Sequence, residues 1–224
     1  MILKLSNVRW LFFDLGSTLI SGKRAEEDRI QQMVRVFAER SMQVSAEAIE
    51  RAFKEASAEF APRLIVRVVE KLANNLSDRA FILRRVKYRK GLEEPYPGAY
   101  EVLSRMAPQY RIGVIANQSA GTGARLESYG WASFISLCLS SAEVDLEKPN
   151  PAIFRLALEQ AQCEPHQVMM IGDRIDNDIR PAKLLGWKTI RLLQGFARVQ
   201  KPRNLEEEPD FTVSNLGEII AILC

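Results

Sequence analysis

The second half of the chain alternates short apolar runs with segments whose apolar residues recur at helical spacing. The apolar runs predict strands, and one further run of this kind lies near the start of the chain. The predicted strands cover residues 10–13, 111–116, 134–139, 168–171, 188–193 and 211–213. Because alternating strands and helices imply a parallel sheet with helices on both faces, the sequence predicts an α/β fold.

Residues from about 20 to 95 follow helical spacing throughout. Apolar positions from Glu26 onward predict one helix, and Ser45 is predicted to cap the next. Two more helices are predicted over residues 64–73 and 77–90, the second capped by Ser77. The sequence therefore predicts a core domain of residues 1–19 plus 96–224 and a small all-helical domain of residues 20–95.

The composition is that of a globular protein with a full hydrophobic core. The chain has 224 residues, of which 47% are hydrophobic and 26% charged, enough for one large domain or two unequal ones. The 31 Lys and Arg exceed the 28 Asp and Glu by only +3, so neither nucleic acid nor a membrane is expected as a partner. We interpret the basic residues between 84 and 90 and the acidic run Glu206, Glu207 and Glu208 as solvated surface.

The chain shows no pattern of a targeting or membrane-spanning segment. Asn7, Arg9 and Asp14 interrupt the first apolar residues, and no stretch approaches the about 18 apolar residues of a membrane span. We therefore expect a cytoplasmic protein, either a monomer or a homodimer. The three cysteines include no CxxC pair, which indicates neither a disulfide framework nor a zinc site.

Two predicted strands end in an acidic residue. Asp14 follows the strand at 10–13 and opens a turn of small residues, and Asp173 follows the strand at 168–171 after Gly172. Ligands of open α/β sheets bind outside the carboxyl ends of the strands, so such an acid is a candidate nucleophile or metal ligand. The alternative is a turn residue that caps the next helix.

Two further polar residues lie in comparable places between these acids. Asn117 directly follows the strand at 111–116, and Lys148 stands just ahead of a predicted helix start at Pro149, Asn150 and Pro151. These four segments, in this order, resemble the haloacid dehalogenase-like hydrolase superfamily. The resemblance covers nearly the whole chain and implies a Rossmann-like core of subfamily I, with residues 20–95 as a helical C1-type cap.

The resemblance also implies roles for the matching residues. Asp14 would be the nucleophile that forms an aspartyl-phosphate, Thr18 would support the turn and contact substrate, and Lys148 would act in catalysis and in binding phosphate. The implied magnesium ligands are Asp14, the carbonyl of Gly16, Asp173 and Asp178. Mg²⁺ does prefer oxygen ligands, and the backbone amide at Asn117 can receive phosphate oxygens. The implied activity is Mg²⁺-dependent hydrolysis of a small phosphorylated metabolite.

Two positions depart from the pattern of the superfamily. Most of its phosphatases have a second Asp two residues after the nucleophile, where this chain has Gly16, and a Ser or Thr where it has Ala116. General acid–base groups contribute about 10²- to 10⁴-fold in rate, so we expect slow turnover. The only histidine, His166, is expected at the amino end of a strand, away from the chemistry.

The departures leave other functions open. One alternative is an impaired member of the superfamily that binds metal and a phosphorylated ligand for regulation. Another is a protein that binds a partner through the apolar stripes of its helical domain.

Overall fold

Strands and helices alternate along the chain as the hydrophobic pattern predicts. The computed structural model describes residues 7–223. Its strands are Trp10–Phe13 (β1), Ile20–Ser21 (β2), Glu94–Pro95 (β3), Arg111–Ala116 (β4), Ile135–Ser140 (β5), Val168–Gly172 (β6), Lys188–Leu192 (β7) and Phe211–Val213 (β8). Its helices are Lys23–Ala38 (α1), Ala46–Ala58 (α2), Leu64–Leu72 (α3), Leu76–Arg85 (α4), Ala99–Met106 (α5), Thr122–Ser128 (α6), Ser141–Val144 (α7), Pro151–Ala161 (α8), Arg180–Leu184 (α9) and Leu216–Leu223 (α10). A π-helical stretch, Ile175–Ile179, leads directly into α9.

Six strands form one sheet in the order β5-β4-β1-β6-β7-β8, and each neighbouring pair is parallel. The predicted parallel α/β fold is therefore confirmed. Strand β1 lies in the middle, because the chain first adds β4 and β5 on one side of it and then β6, β7 and β8 on the other. Such a reversal of strand order places a crevice at the carboxyl ends of β1 and its neighbours.

Alternate side chains of β1 enter different hydrophobic clusters. Leu11 and Phe13 pack with residues of α5 and α10, whereas Trp10 and Phe12 pack with residues of α8. This two-residue period is the expected result of a strand buried on both faces. A Cβ at Gly113 would lie 2.3 Å from the ring of Phe12, so the neighbouring strand β4 needs a glycine at this point.

The chain divides into two compact units. The α/β unit runs to Ile20 and includes Pro95–Gln194 and the residues from Pro202 onward, whereas the helical unit comprises Ser21–Glu94 and Gly195–Lys201. The sequence-based boundaries differ mainly because they put the segment Gly195–Lys201 in the core, and they also put Ile20 and Pro95 in the helical domain. Phe196 of this segment stacks on Phe53 of α2 at 4.9 Å between ring centroids, which explains why the segment groups with the helices. Residues 1–6 of the predicted core lie outside the described residues.

The predicted start and end of the fourth helix are wrong. Asn75, not Ser77, caps α4, since its side-chain oxygen accepts a hydrogen bond from the amide of Asp78 at 2.9 Å. The helix ends at Arg85 instead of residue 90. The side chain of Gln32 hydrogen-bonds both the N–H and the C=O of Lys87, at 3.0 Å each, and so satisfies backbone groups that a helix would have used.

The acidic run at 206–208 is only partly solvated. Glu207 is fully buried and receives hydrogen bonds from the backbone and the guanidinium of Arg203. A buried carboxylate needs such partners, and no pattern along the chain indicates them. Among residues 7–223, none of the helices has both the length and the apolar character needed to cross a lipid bilayer.

Candidate active site

The predicted site residues converge at the carboxyl edge of the sheet. Asp14 directly follows β1, Asp173 directly follows β6, and Asn117 directly follows β4. Since β1 lies between β4 and β6, these residues emerge from three adjacent strands. The backbone amide of Asp14 also donates to the carbonyl of Ile171 at 2.9 Å, which fixes Asp14 relative to β6.

Lys148 joins two of the carboxylates. Its Nζ donates to Oδ1 of Asp14 at 2.7 Å and to Oδ1 of Asp178 at 2.5 Å. The relative exposures of Lys148, Asp14 and Asp178 are 3%, 9% and 1%, so these charges are nearly removed from solvent. Charges buried to this extent need partners, and the ammonium group supplies one for both acids.

Three buried acids form a cluster with metal-ligating geometry. Carboxylate oxygens of Asp14, Asp173 and Asp178 all lie within 4.8 Å of one another, although Asp173 is 159 positions after Asp14 in the chain. Gly172 permits this approach, because a Cβ at that position would lie 2.5 Å from Cγ of Asp178. The glycine between β6 and Asp173 is therefore a packing requirement of the cluster.

Asp178 is held from two directions. Its Oδ2 accepts a hydrogen bond from the backbone N–H of Arg174 at 3.0 Å, while its Oδ1 accepts from Lys148. The backbone N–H of Asp178 in turn donates to the carbonyl of Arg174 at 2.9 Å. Asp178 therefore orients Lys148 as well as contributing an acid to the cluster.

The side chain of Asn117 positions Lys148. Its Nδ2 donates to the carbonyl of Lys148 and its Oδ1 accepts from the N–H of Lys148, both at 2.7 Å. An amide paired with both backbone groups of one residue fixes the loop ahead of α8. Asn150 caps that helix by accepting from the amide of Ala152 at 2.9 Å, as expected for a lysine held before a helix start.

The turn after Asp14 is tightly closed. The amides of Leu19 and Ile20 both donate to the carbonyl of Leu15, at 2.9 and 2.8 Å. Ser17 has a φ of 56°, in the left-handed region. Thr18 is fully buried, and its Oγ1 lies 3.5 Å from Oδ2 of Asp14, which agrees with a supporting role in this turn.

Sequence reasoning missed the residues that hold the loop after β4. Ser140 ends β5, and its Oγ donates to the carbonyl of Gln118 at 3.3 Å. Ser141 uses its Oγ twice, donating to the same carbonyl at 3.1 Å and accepting from the N–H of Gln118 at 3.0 Å. Ser140 and Ser141 follow the predicted strand at 134–139, as Asp14 and Asp173 follow theirs. This shared pattern could have indicated the two serines from the sequence.

Comparison with known proteins identifies the family. Residues 8–186 match the haloacid dehalogenase-like hydrolases. The chain belongs to this family. Membership makes it a hydrolase, and it agrees with the cluster at the carboxyl edge, which contains the residues on which the resemblance was based.

Two curated relatives illustrate the range of the family. The glyceraldehyde 3-phosphate phosphatase of Methanopyrus kandleri is 24% identical, over 96% of this chain and 97% of that protein. The pyrimidine 5'-nucleotidase YjjG of Escherichia coli is 36% identical, but over only 58% of this chain and 57% of its own length. The chain is thus similar to hydrolases whose names specify different phosphorylated compounds.

Solved structures of the family share the fold. A predicted phosphoglycolate phosphatase from Haemophilus somnus superimposes with a TM-score of 0.71 at 19% identity, over 97% of this chain and 99% of that one. The putative hydrolase YfnB of Bacillus subtilis, bound to magnesium, has a TM-score of 0.66 at 19% identity with the same coverage of both chains. At these identities the likeness shows the fold, a Rossmann-like α/β core.

The cluster contains three acids and one amine, so its acidic groups outnumber its basic ones. Burial raises the pKa of Asp173 well above its usual range, and the carboxylates of Asp178 and Asp14 add to this effect. Burial likewise raises the pKa of Asp178 to about 6, against the opposing pull of Lys148. Burial disfavours the charged form of Lys148, yet Asp14 and Asp178 outweigh it and raise the pKa of that amine. The cluster therefore holds its lysine charged and its acids under repulsion.

Two further polar residues lie outside the cluster of acids. Arg191 of β7 is buried, and its Nε lies 3.5 Å from the carbonyl of Asp173; sequence reasoning did not single it out. His166 is exposed in the turn that precedes β6, at the amino end of the strand, as predicted. It is therefore separated from the site by the length of β6.

Proposed function

We propose that the chain is a Mg²⁺-dependent phosphohydrolase that acts on a small phosphorylated metabolite through an aspartyl-phosphate at Asp14. The observation that carries this proposal is the junction of Asp14, Lys148, Asp173 and Asp178 in one buried cluster. The names of the curated relatives support phosphate esters as the substrate class. We further propose that the helical unit is the substrate-selecting cap.

The donor set fits a magnesium ion. Three buried carboxylates and one ammonium group leave an excess of acidic groups. Burial first, and repulsion from the neighbouring carboxylates after it, raise the pKa values of Asp173 and Asp178. A divalent cation would relieve this repulsion, and the ligands would be Asp14, Asp173, Asp178 and the carbonyl of Gly16, all oxygen donors. When bound, the ion would neutralise charge on the phosphoryl group.

The residues of the chain account for the remaining requirements of phosphoryl transfer. A carboxylate oxygen of Asp14 attacks phosphorus while the bond from phosphorus to the leaving oxygen breaks and its electron pair stays on that oxygen. Lys148 offsets the negative charge of the phosphoryl group. Asn117 and Asp178 keep Lys148 in place. Backbone N–H groups near Asn117 and in the turn after Asp14 donate hydrogen bonds to phosphate oxygens. Water then attacks phosphorus, and the electron pair of the broken P–O bond returns to Asp14. Such catalysis depends on positioning and electrostatics.

Turnover is expected to be slow for ordinary esters. Gly16 supplies no carboxyl group to protonate a leaving alcohol, and such groups contribute about 10²- to 10⁴-fold in rate. Gly16 and Ala116 also favour a second candidate function, in which an impaired family member binds metal and a phosphorylated ligand for regulation.

A panel of phosphomonoesters assayed with Mg²⁺ separates the two functions. If the chain is an enzyme, we expect turnover that disappears in Asp14→Asn. With ³²P-labelled substrate, the wild-type chain should also retain ³²P after rapid acid quenching. A panel without turnover above the Asp14→Asn background, together with tight binding of a phosphorylated ligand, would establish the binding protein instead.

A further inference from the structure

The space beside Gly16 borders on the side chain of Gln118. A Cβ built on Gly16 would lie 3.8 Å from Nε2 of Gln118, an ordinary van der Waals distance. Apart from the immediate chain neighbours of Gly16, no other atom of the described residues comes within 4 Å of that Cβ. The amide of Gln118 is therefore the functional group adjacent to the position from which a general acid would project.

The backbone of Gln118 is firmly anchored. Its N–H donates to Ser141, and its carbonyl accepts hydrogen bonds from both Ser140 and Ser141. The Oγ of Thr122 donates to the Oγ of Ser140 at 3.0 Å and extends this network to α6. A side chain that starts from a fixed backbone loses less freedom when it meets a ligand, which favours a defined position for the amide.

We propose that the amide of Gln118 replaces the missing carboxyl group as the hydrogen-bond donor to the leaving group, and that the enzyme therefore selects phosphates whose leaving group departs without a proton. The selected classes are acyl phosphates and aryl phosphates. This inference rests on the proposed function and specifies its substrate class.

The chemistry follows from what an amide can do. An N–H of Gln118 stabilises negative charge on the leaving oxygen by hydrogen bonding, but it does not transfer its proton. As Asp14 forms its bond to phosphorus, the bond from phosphorus to the leaving oxygen breaks, and its electron pair stays on that oxygen. A carboxylate or phenolate departs in this form, whereas an alkoxide must take a proton from water. Water later cleaves the aspartyl-phosphate, releasing inorganic phosphate and a proton.

The size of the selection depends on leaving-group basicity. The conjugate acid of a carboxylate has a pKa of about 4 and a phenol about 10, as the side chains of Asp and Tyr show. Water, which resembles an alcohol in this respect, is a far weaker acid than a phenol. Without an acid at position 16, the rate is expected to fall steeply along this series.

The test measures kcat/KM, which reports the steps up to cleavage of the ester bond, for acetyl phosphate, 4-nitrophenyl phosphate, phenyl phosphate and glycerol phosphate. The wild type should be fastest on acetyl phosphate and slowest on glycerol phosphate. Gly16→Asp should raise the rate on glycerol phosphate by about 10²- to 10⁴-fold and change that on acetyl phosphate little. The ordinary contact distance at Gly16 leaves room for this substitution.

The role of Gln118 is tested in both backgrounds. Gln118→Ala should lower the rate on phenyl phosphate about 10- to 100-fold, as for a lost hydrogen bond to a charged group, and spare acetyl phosphate. The isosteric Gln118→Glu, which retains the size but not the donor, should behave in the same way. In the Gly16→Asp background, the reduction in kcat/KM caused by Gln118→Ala should no longer depend on the leaving group. Gln109→Ala, before the opposite end of β4, serves as the matched control.

The outcomes separate the inference from the proposed function. Equal losses on all four substrates in Gln118→Ala would show a merely structural role and overturn the inference, while turnover that depends on Asp14 would keep the proposed function. A flat dependence on the leaving group in the wild type would overturn the inference as well. If none of the four is hydrolysed above the Asp14→Asn background, the proposed function fails and the inference fails with it.

Discussion

The carboxyl edge of the sheet and the helical unit use charged residues in opposite ways. At the edge, Asp14, Lys148 and Asp178 are at most 9% exposed, and both acids accept a hydrogen bond from Lys148. In the helical unit, ion pairs such as Lys54 with Glu50 join side chains that are 39% and 47% exposed. A surface pair contributes little to stability, whereas breaking a buried pair leaves an uncompensated charge.

This difference shows where the fold tolerates unfavourable electrostatic interactions. Hydrophobic side chains stabilise both units, but within residues 7–223 only the sheet edge brings three buried carboxylates together. Concentrated repulsion of this kind is characteristic of sites that bind cations or stabilise reacting charges. Substitutions should therefore have graded effects that follow burial.

The largest effect is expected at Lys148. In Lys148→Met the carboxylates of Asp14 and Asp178 lose their buried counter-charge, so the free energy of unfolding without Mg²⁺ should fall by about 3–5 kcal/mol at pH 8. A raised pKa means that the folded state binds the proton more tightly than the unfolded state does. Lys148 lowers the pKa of Asp178 in the wild type, so without Lys148 this pKa should lie above the wild-type value of about 6, and the deficit should shrink as the pH falls from 8 toward 6. Urea unfolding at pH 8 and pH 6 measures the loss of unfolding free energy. A loss below about 1 kcal/mol at pH 8 would show that the buried ion pairs stabilise the fold no more than exposed pairs do.

Gly172 tests the packing of the cluster. Gly172→Ala places a methyl group 2.5 Å from Cγ of the buried Asp178, so either the strand or that carboxylate must move. We expect a loss of about 1–3 kcal/mol together with weaker Mg²⁺ binding. The matched control is Gly123→Ala, where a Cβ would meet nothing within 4 Å. Similar effects of the two substitutions would contradict the account.

Phe196 tests the contribution of the segment Gly195–Lys201 to the helical unit. Phe196→Ala removes the ring stacked on Phe53, and for a half-buried aromatic side chain we expect a loss of about 1–2 kcal/mol, with faster hydrogen exchange in α2. Arg198→Ala, an exposed position in the same segment, should leave exchange in α2 unchanged. If both variants exchange like the wild type, the segment does not stabilise the helices.

The smallest effect is expected on the surface of α2. Lys54→Ala removes an exposed pair with Glu50, so unfolding in urea should change by less than about 0.5 kcal/mol. A loss comparable to that of Lys148→Met would show that burial does not distinguish the two regions.

The sheet and its acids were predictable because their patterns are local. The apolar runs at 10–13 and 168–171 each end in a turn with an acid, and parallel strands bring such ends to one edge. Family resemblance then supplied the roles of Lys148 and Asp178, which stand in no distinctive local pattern.

The remaining features depend on contacts between distant residues. Gln32 ends α4 by bonding the backbone of Lys87, and Phe196 joins the helices through Phe53, 143 positions earlier. The position of Gln118 next to Gly16 depends equally on which strands are neighbours. No periodicity along the chain encodes such pairings, so they require the folded structure.

Titration calorimetry of Mg²⁺ with the wild type and with Asp173→Asn tests the central claim most directly, since the buried acids are proposed to form one cation site. We expect one ion per wild-type chain and binding that is at least about 10-fold weaker in Asp173→Asn. Equal affinity in the two proteins, or no binding heat in the wild type, would contradict this claim.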